Sequence, residues 1–189
     1  ALPYDPDEAL RILREKGWEP GPDRILQKNG VPFRFTLATN AGNQRRADVA
    51  EIVQQQWRRI GVDAEIRIVE SNTFFEQLNR REFDAAIAGW GVGLSPDLQQ
   101  IWGDPDLPFN FVSYDNPEVR RLIREALAQP TEELATPLWS EAASRIIADQ
   151  PYTWLFYLDG LIGVNNRLQG TLINTLGTYQ EIWNWRIAE

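Results

Sequence analysis

Residues 33–68 read FRFTLATNAGNQRRADVAEIVQQQWRRIGVDAEIRI, and two periodicities within them decide the fold class. Phe33, Phe35 and Leu37 alternate with Arg34 and Thr36, a period of two that predicts a strand. From about Gln44 to Ile60 the apolar set is Val49, Ile52, Val53, Trp57 and Ile60, at helical spacing, and Gly61 ends it. Val62, Ala64, Ile66 and Ile68 then alternate with Asp63, Glu65 and Arg67. A strand, a crossover helix and a second strand give a parallel pair with a right-handed connection. The expected class is α/β: a mixed, largely parallel sheet flanked by helices.

On the N-terminal side, Asp5, Pro6 and Glu8 form an N-cap, a first-turn proline and a capping-box carboxylate for a helix over 5–17. Ala9, Leu10, Ile12 and Leu13 are its stripe, and Gly17 is the stop. Asn29-Gly30 marks a tight hairpin between residues 25–28 and 33–37. On the C-terminal side, Thr73 and Glu76 predict a capping box opening a short helix that ends near Arg81. Residues 83–88 read as a buried strand, followed by a Gly-, Pro- and aromatic-rich loop from 89 to about 115. Asn116-Pro117 then caps a helix with Val119, Leu122, Ile123 and Leu127 on one face. A second helix runs to about Gln150, with Thr136 as cap beside Pro137 and Thr131 as the competing start. Residues 152–158 are expected as an aromatic strand, and 160–189 as short irregular strands.

Composition narrows the function. The 189 residues contain no His, Cys or Met, yet 8 Trp. Without Cys there is neither a disulfide framework nor a thiolate zinc site, and without His no Ser-His-Asp machinery. Carboxylate-pair chemistry remains open. A net charge of −8 argues against a nucleic-acid partner, which needs a basic face. The pairs Arg45-Arg46, Arg58-Arg59, Arg80-Arg81 and Arg120-Arg121 are read as solvated helix faces. No run is long and apolar enough to span a membrane as a helix, and ALPYDPDEAL has no basic and apolar leader pattern. Together with the absent Met, this is the expectation for a processed chain or one cut from a longer protein.

The loop residues Gly89, Trp90, Gly91, Gly93 and Asp97 are the candidate site. The glycines lack the spacing of a phosphate loop, so no nucleotide cofactor is expected. They let the backbone turn just past a strand end, where open α/β sheets place ligands, and hold out an indole suited to stacking. Trp57, Trp139, Trp154, Trp183 and Trp185 lie in periodic segments and read as core or edge residues. Asp84, Asp97, Asp104 and Asp106 are the nearby carboxylates, and turn chemistry is their favoured role. Two alternatives stay open: a carboxylate-dependent carbohydrate enzyme using Asp84 or Asp97, and a protein-interaction module using loop 90–114.

Several segments recur together in one known order. They are Tyr4-Asp5-Pro6-Asp7-Glu8-Ala9 leading to Gly17-Trp18, Pro32-Phe33 onward, and the W-R-R-I-G-V run ending at Val62. Phe83-Asp84 to Gly89-Trp90, Asn116-Pro117-Glu118-Val119 and Asp149-Gln150-Pro151 follow. This order resembles the C-terminal lobe of the family 5 extracellular solute-binding proteins, which serve peptide, nickel and oligosaccharide ABC importers. The resemblance implies a periplasmic-binding-protein type II lobe over 1–189, with 160–189 as a returning tail. It implies a peptide or oligosaccharide held against an N-terminal lobe outside this chain. It also implies docking on ABC permease subunits, a periplasmic or extracellular location, and no catalysis. The family's ligand-facing segment falls on residues 89–97, with Trp90 as the cleft aromatic. Gly93 stands where peptide-binding members carry an amine-binding Asp, which leaves Asp97 or the other lobe to supply that charge. With no imidazole or thiolate here, a metal would arrive chelated or be held by the other lobe.

Overall fold

The strand–helix–strand unit forms as its periodicities require in the computed structural model of the chain, which describes residues 3–91, 98–174 and 177–188. The first elements in chain order are α1 (Pro6–Glu15), β1 (Glu19–Pro20), β2 (Leu26–Lys28), β3 (Val31–Pro32) and β4 (Arg34–Asn40). Next come α2 (Gln44–Arg59), β5 (Asp63–Val69), α3 (Ser71–Arg80) and β6 (Ala85–Ala86). Then follow α4 (Gln99–Trp102), α5 (Pro117–Leu127), α6 (Glu132–Asp149), β7 (Leu168–Gln169), β8 (Leu172–Asn174), β9 (Gly177–Gln180) and β10 (Arg186–Ile187). They fall into two compact units, Ala1–Trp90 with Pro108–Val112, and Gly91–Leu107 with Ser113–Glu189.

In the first unit β4 is central. It pairs in parallel with β5, from Arg34↔Asp63 to Asn40↔Val69, and with β6, at Leu37↔Ala85 and Ala38↔Ala86. Successive strand residues point to opposite faces, and each face has its own core. Leu37 and Ala64 pack with Ala50 of α2, flanked by Phe35, Val53 and Trp57. Ala38 packs with Phe74 and Leu78 of α3 and with Phe111. The strand expected over 83–88 shortens to two residues, continued by Ile87 N–H donating to Ala38 O at 2.9 Å. Ahead of it, Asp84 accepts from the Thr36 amide at 2.9 Å, so a side chain takes over where the ladder stops.

The hairpin and two helix starts differ from expectation in informative ways. Asn29 and Gly30 both have positive φ, 53° and 77°, the type I′ turn expected of this dipeptide. The returning arm, however, is only Val31–Pro32, and residues from Arg34 onward join the parallel sheet instead. The Leu26 amide donates to Gly61 O at 2.7 Å, tying the hairpin to the end of α2. Gly61 has φ +81°, and a Cβ there would lie 3.0 Å from Arg24 O and from Leu26 Cγ, so the stop must be glycine. Helix α3 starts at Ser71, because the Glu70 carboxylate accepts from the Thr73 amide at 3.0 Å and is the cap. In α1 Asp5 caps Glu8 N–H at 2.9 Å as expected, but the Glu8 carboxylate turns to Arg11 and not back to the cap.

The second unit is built on α5 against α6. Val119, Leu122, Ile123 and Ala126 meet Ala135, Trp139, Ala142 and Ile146, with Trp102 of α4 in the same core. Asn116 caps α5 through the Glu118 and Val119 amides; Leu127, placed on the buried face by its spacing, is exposed, and Ala126 takes that position. Helix α6 starts at Glu132, with Thr131 and not Thr136 at the N-cap. Glu132 and Glu133 then occupy the first turn, where the helix dipole favours acidic residues, and Pro137 is carried inside the helix. The Asp149 carboxylate accepts from Tyr114 Oη at 2.6 Å and from Asn116 Nδ2 at 2.8 Å. Those two donors hold it below the usual carboxylate range, Tyr114 foremost.

The aromatic strand expected at 152–158 belongs to no sheet. Trp154, Leu155, Phe156 and Leu158 are exposed, as are Tyr157 at 88% and Leu161 at 94%. The irregular strands expected after 160 are two short antiparallel pairs, β7 with β10 and β8 with β9. Trp183 and Trp154, read as core or edge residues, are exposed. Among the described residues no helix is long and apolar enough to cross a membrane.

Candidate ligand-binding site

The carboxyl ends of β4 and β6 bring Asn40 and the Gly89-Trp90 turn to one end of the sheet of the first unit. Trp90 lies flat on Phe111, with ring centroids 5.2 Å apart and planes at 12°, and meets Phe109 edge-on at 5.7 Å. Phe111 is itself buried among Ala38, Phe74 and Leu78. The indole is therefore braced on the core, yet remains 40% exposed. A large ring held rigidly at low entropic cost, with free surface, is what a stacking platform requires.

The glycines divide. A Cβ on Gly89 would sit 3.2 Å from Arg46 Nη2, so glycine here leaves room for a guanidinium. Gly91 is exposed and meets nothing within 4 Å. Gly93 and Asp97 lie outside the described residues. Asp84 accepts from the Thr36 amide, a contact to the neighbouring strand and not a turn, whereas Asp104 accepts from the Asp106 amide at 3.0 Å, the turn chemistry expected of it. Among the described residues no cluster of three Asp, Glu, His or Cys could hold a metal ion.

Arg46 is where the sequence reading of the arginine pairs fails. Arg45 is exposed, but Arg46 is half-buried. Its Nη1 donates to Asn40 Oδ1 at 2.6 Å. Asn40 is fixed in turn, its Nδ2 donating to Ala41 O at 3.0 Å and to Ser71 Oγ at 3.3 Å. Burial draws the guanidinium below its ordinary pKa. The signal was available: Arg46, Ala50 and Val53 stand at i, i+4 and i+7, so the helical period puts Arg46 on the face of α2 that packs on the sheet.

A parallel sheet whose strand ends present a braced aromatic and a half-buried cation has the layout of a ligand-binding α/β module. The family model for bacterial extracellular solute-binding proteins, family 5 Middle, matches residues 1–104, and the chain belongs to that family. It is 32% identical to the oligopeptide-binding protein AppA of Bacillus subtilis, over 98% of this chain and 35% of that protein. The structure of AppA in complex with a nonapeptide matches all of this chain and 39% of AppA, with a TM-score of 0.85. A mannohexaose-bound oligopeptide-binding protein of Thermotoga maritima shares the fold at 21% identity and a TM-score of 0.68, over 80% of this chain and 30% of that one. The chain spans about a third of the length of the relatives it matches. The family is one of binding proteins and not of enzymes, and Asp84, one of the two carboxylates of the carbohydrate-enzyme reading, is committed to the backbone.

Proposed function

We propose that this chain is the C-terminal lobe of a solute receptor for an ABC importer, capturing a peptide or an oligosaccharide outside the cytoplasmic membrane without transforming it. The observation that carries this reading is Trp90, braced on Phe111 at the strand ends and still open on its remaining surface. In this reading Gly89, Gly91 and Gly93 shape the turn around the indole and Asp97 offers a polar contact. Family membership and the oligopeptide-binding relative support it. So does the exposed apolar run at 154–164, a surface that the rest of the protein would cover. In this reading the chain, with 160–189 as its returning tail, supplies one side of the enclosure and the portion outside this chain the other, and closure around the solute precedes docking on the permease.

The test is Trp90→Ala in the complete protein, titrated with peptides and with oligosaccharides. Affinity for whichever class binds should fall at least tenfold, while folding stability falls by ~1–3 kcal/mol, the worth of two aromatic contacts of a partly exposed ring. Unchanged affinity would refute the role of Trp90. The 189-residue chain alone should bind weakly, because it offers half of the enclosure; micromolar affinity of the isolated chain would refute the two-wall arrangement.

A further inference from the structure

An exposed arginine is neutralised by solvent whether or not a carboxylate is near; a half-buried one is not. Arg121 is held by Glu118 and Glu125, Arg145 by Glu141, Arg120 by Asp115, and Arg34 by Asp23 and Asp63. Arg46 differs. It is half-buried, and among the described residues no carboxylate stands within ion-pair distance of it. The side-chain acceptor that it meets among the described residues, Asn40 Oδ1, is neutral: it orients the guanidinium without cancelling its charge. Asn40 cannot swing away, because its amide is spent on Ala41 O and Ser71 Oγ. Gly89 adds the last element, since a side chain there would press on Nη2 at 3.2 Å. A partly desolvated cation with no counter-charge is costly to keep, and a bidentate fork held in one orientation fits a carboxylate.

Resting on the solute-capture reading of this same site, we propose that Arg46 is an anion subsite that pairs with a carboxylate of the bound solute beside Trp90. The solute class is thereby an anionic or zwitterionic peptide and not a neutral oligosaccharide. The two sources of the carboxylate, a chain terminus or an acidic side chain, present the same chemistry to the guanidinium. Asn40 acts as a positioning residue.

The experiment uses the complete protein and defined probes: random tetrapeptide pools lacking Asp and Glu, one with a free C-terminal acid and one amidated. A third amidated pool contains Glu, and a manno-oligosaccharide is the neutral probe. A pool that carries a carboxylate should bind wild type about 10- to 100-fold more tightly than the amidated pool without one, the range of a charge-assisted pair. Whether the free-acid or the Glu pool wins identifies the source. Arg46→Gln should abolish the preference, bringing both pools to similar affinity, and Arg46→Lys should keep part of it. A merely structural role would weaken every pool equally and leave the ratio intact, which overturns the proposal. Tight binding of the manno-oligosaccharide, unaffected by Arg46→Gln, overturns the subsite and leaves solute capture standing. Failure of every probe to bind wild type overturns both.

Discussion

The strand ends of the first unit and the helix pair of the second treat polar groups in opposite ways. On α5 and α6, Arg121 is clasped by Glu118 at 2.7 Å and by Glu125 at 2.5 Å. Asp149, at the end of α6, takes both Tyr114 and Asn116. At the ends of β4 and β6 a half-buried guanidinium meets, among the described residues, the amide oxygen of Asn40 and no carboxylate, and an indole braced from beneath keeps an open surface. The helix pair pairs its charges internally; at the strand ends, Arg46 has no carboxylate partner among the described residues. Under the proposed function, that asymmetry is the difference between a structural packing surface and a ligand subsite.

Mutation separates the two regions, most strongly in the helix pair. Ile123→Ala empties a fully buried position between α5 and α6 and should cost about 2–5 kcal/mol in denaturant unfolding, with ligand affinity within twofold of wild type. Had Trp90→Ala cost as much stability, its role would be packing, and the contrast would fail. Asn116→Ala removes a cap that accepts from two amides and should cost about 1 kcal/mol by the same measurement.

Asp149 gives a smaller, pH-dependent effect. Its carboxyl is held low in the fold, so its contribution is present above the unfolded value of about 3.9 and is lost as pH falls through the folded value. Wild type should therefore exceed Asp149→Asn in stability at pH 7, with the gap narrowing at pH 3; a constant gap would deny that the charge matters. Arg121→Gln, on an exposed helix face, should change nothing measurable, whereas Arg46→Gln should change ligand preference.

Much of the first unit was legible in the sequence because periodicity reports burial. The alternation at 33–37 and 62–68 and the helical spacing at 49–60 correspond to β4, β5 and α2 with small shifts at the ends. What escaped was decided by groups that periodicity does not weigh. Glu70 outcompetes Thr73 as cap by offering a carboxylate to the first free amides. Acidic residues draw the N-cap of α6 back to Thr131 despite Pro137. The run at 152–158 has strand composition but finds no pairing partner, and composition alone cannot create a ladder. The exposed position of Trp90 at the strand ends was legible because glycines flank it just past a strand. Arg46 was not, because a doubled arginine reads as solvated until each residue is set on the helical wheel separately.

The bond from the Leu26 amide to Gly61 O, at 2.7 Å, has a kinetic consequence. It stitches a hairpin to the turn that closes α2 and leads into β5. A three-strand ribbon of such short strands would open readily if left to itself. Fastened there, its innermost amide cannot exchange with solvent water until the crossover loosens as well. In native-state hydrogen exchange Leu26 should accordingly report the cooperative opening of the parallel sheet, while Lys28 and Val31, nearer the tip, exchange through local fraying.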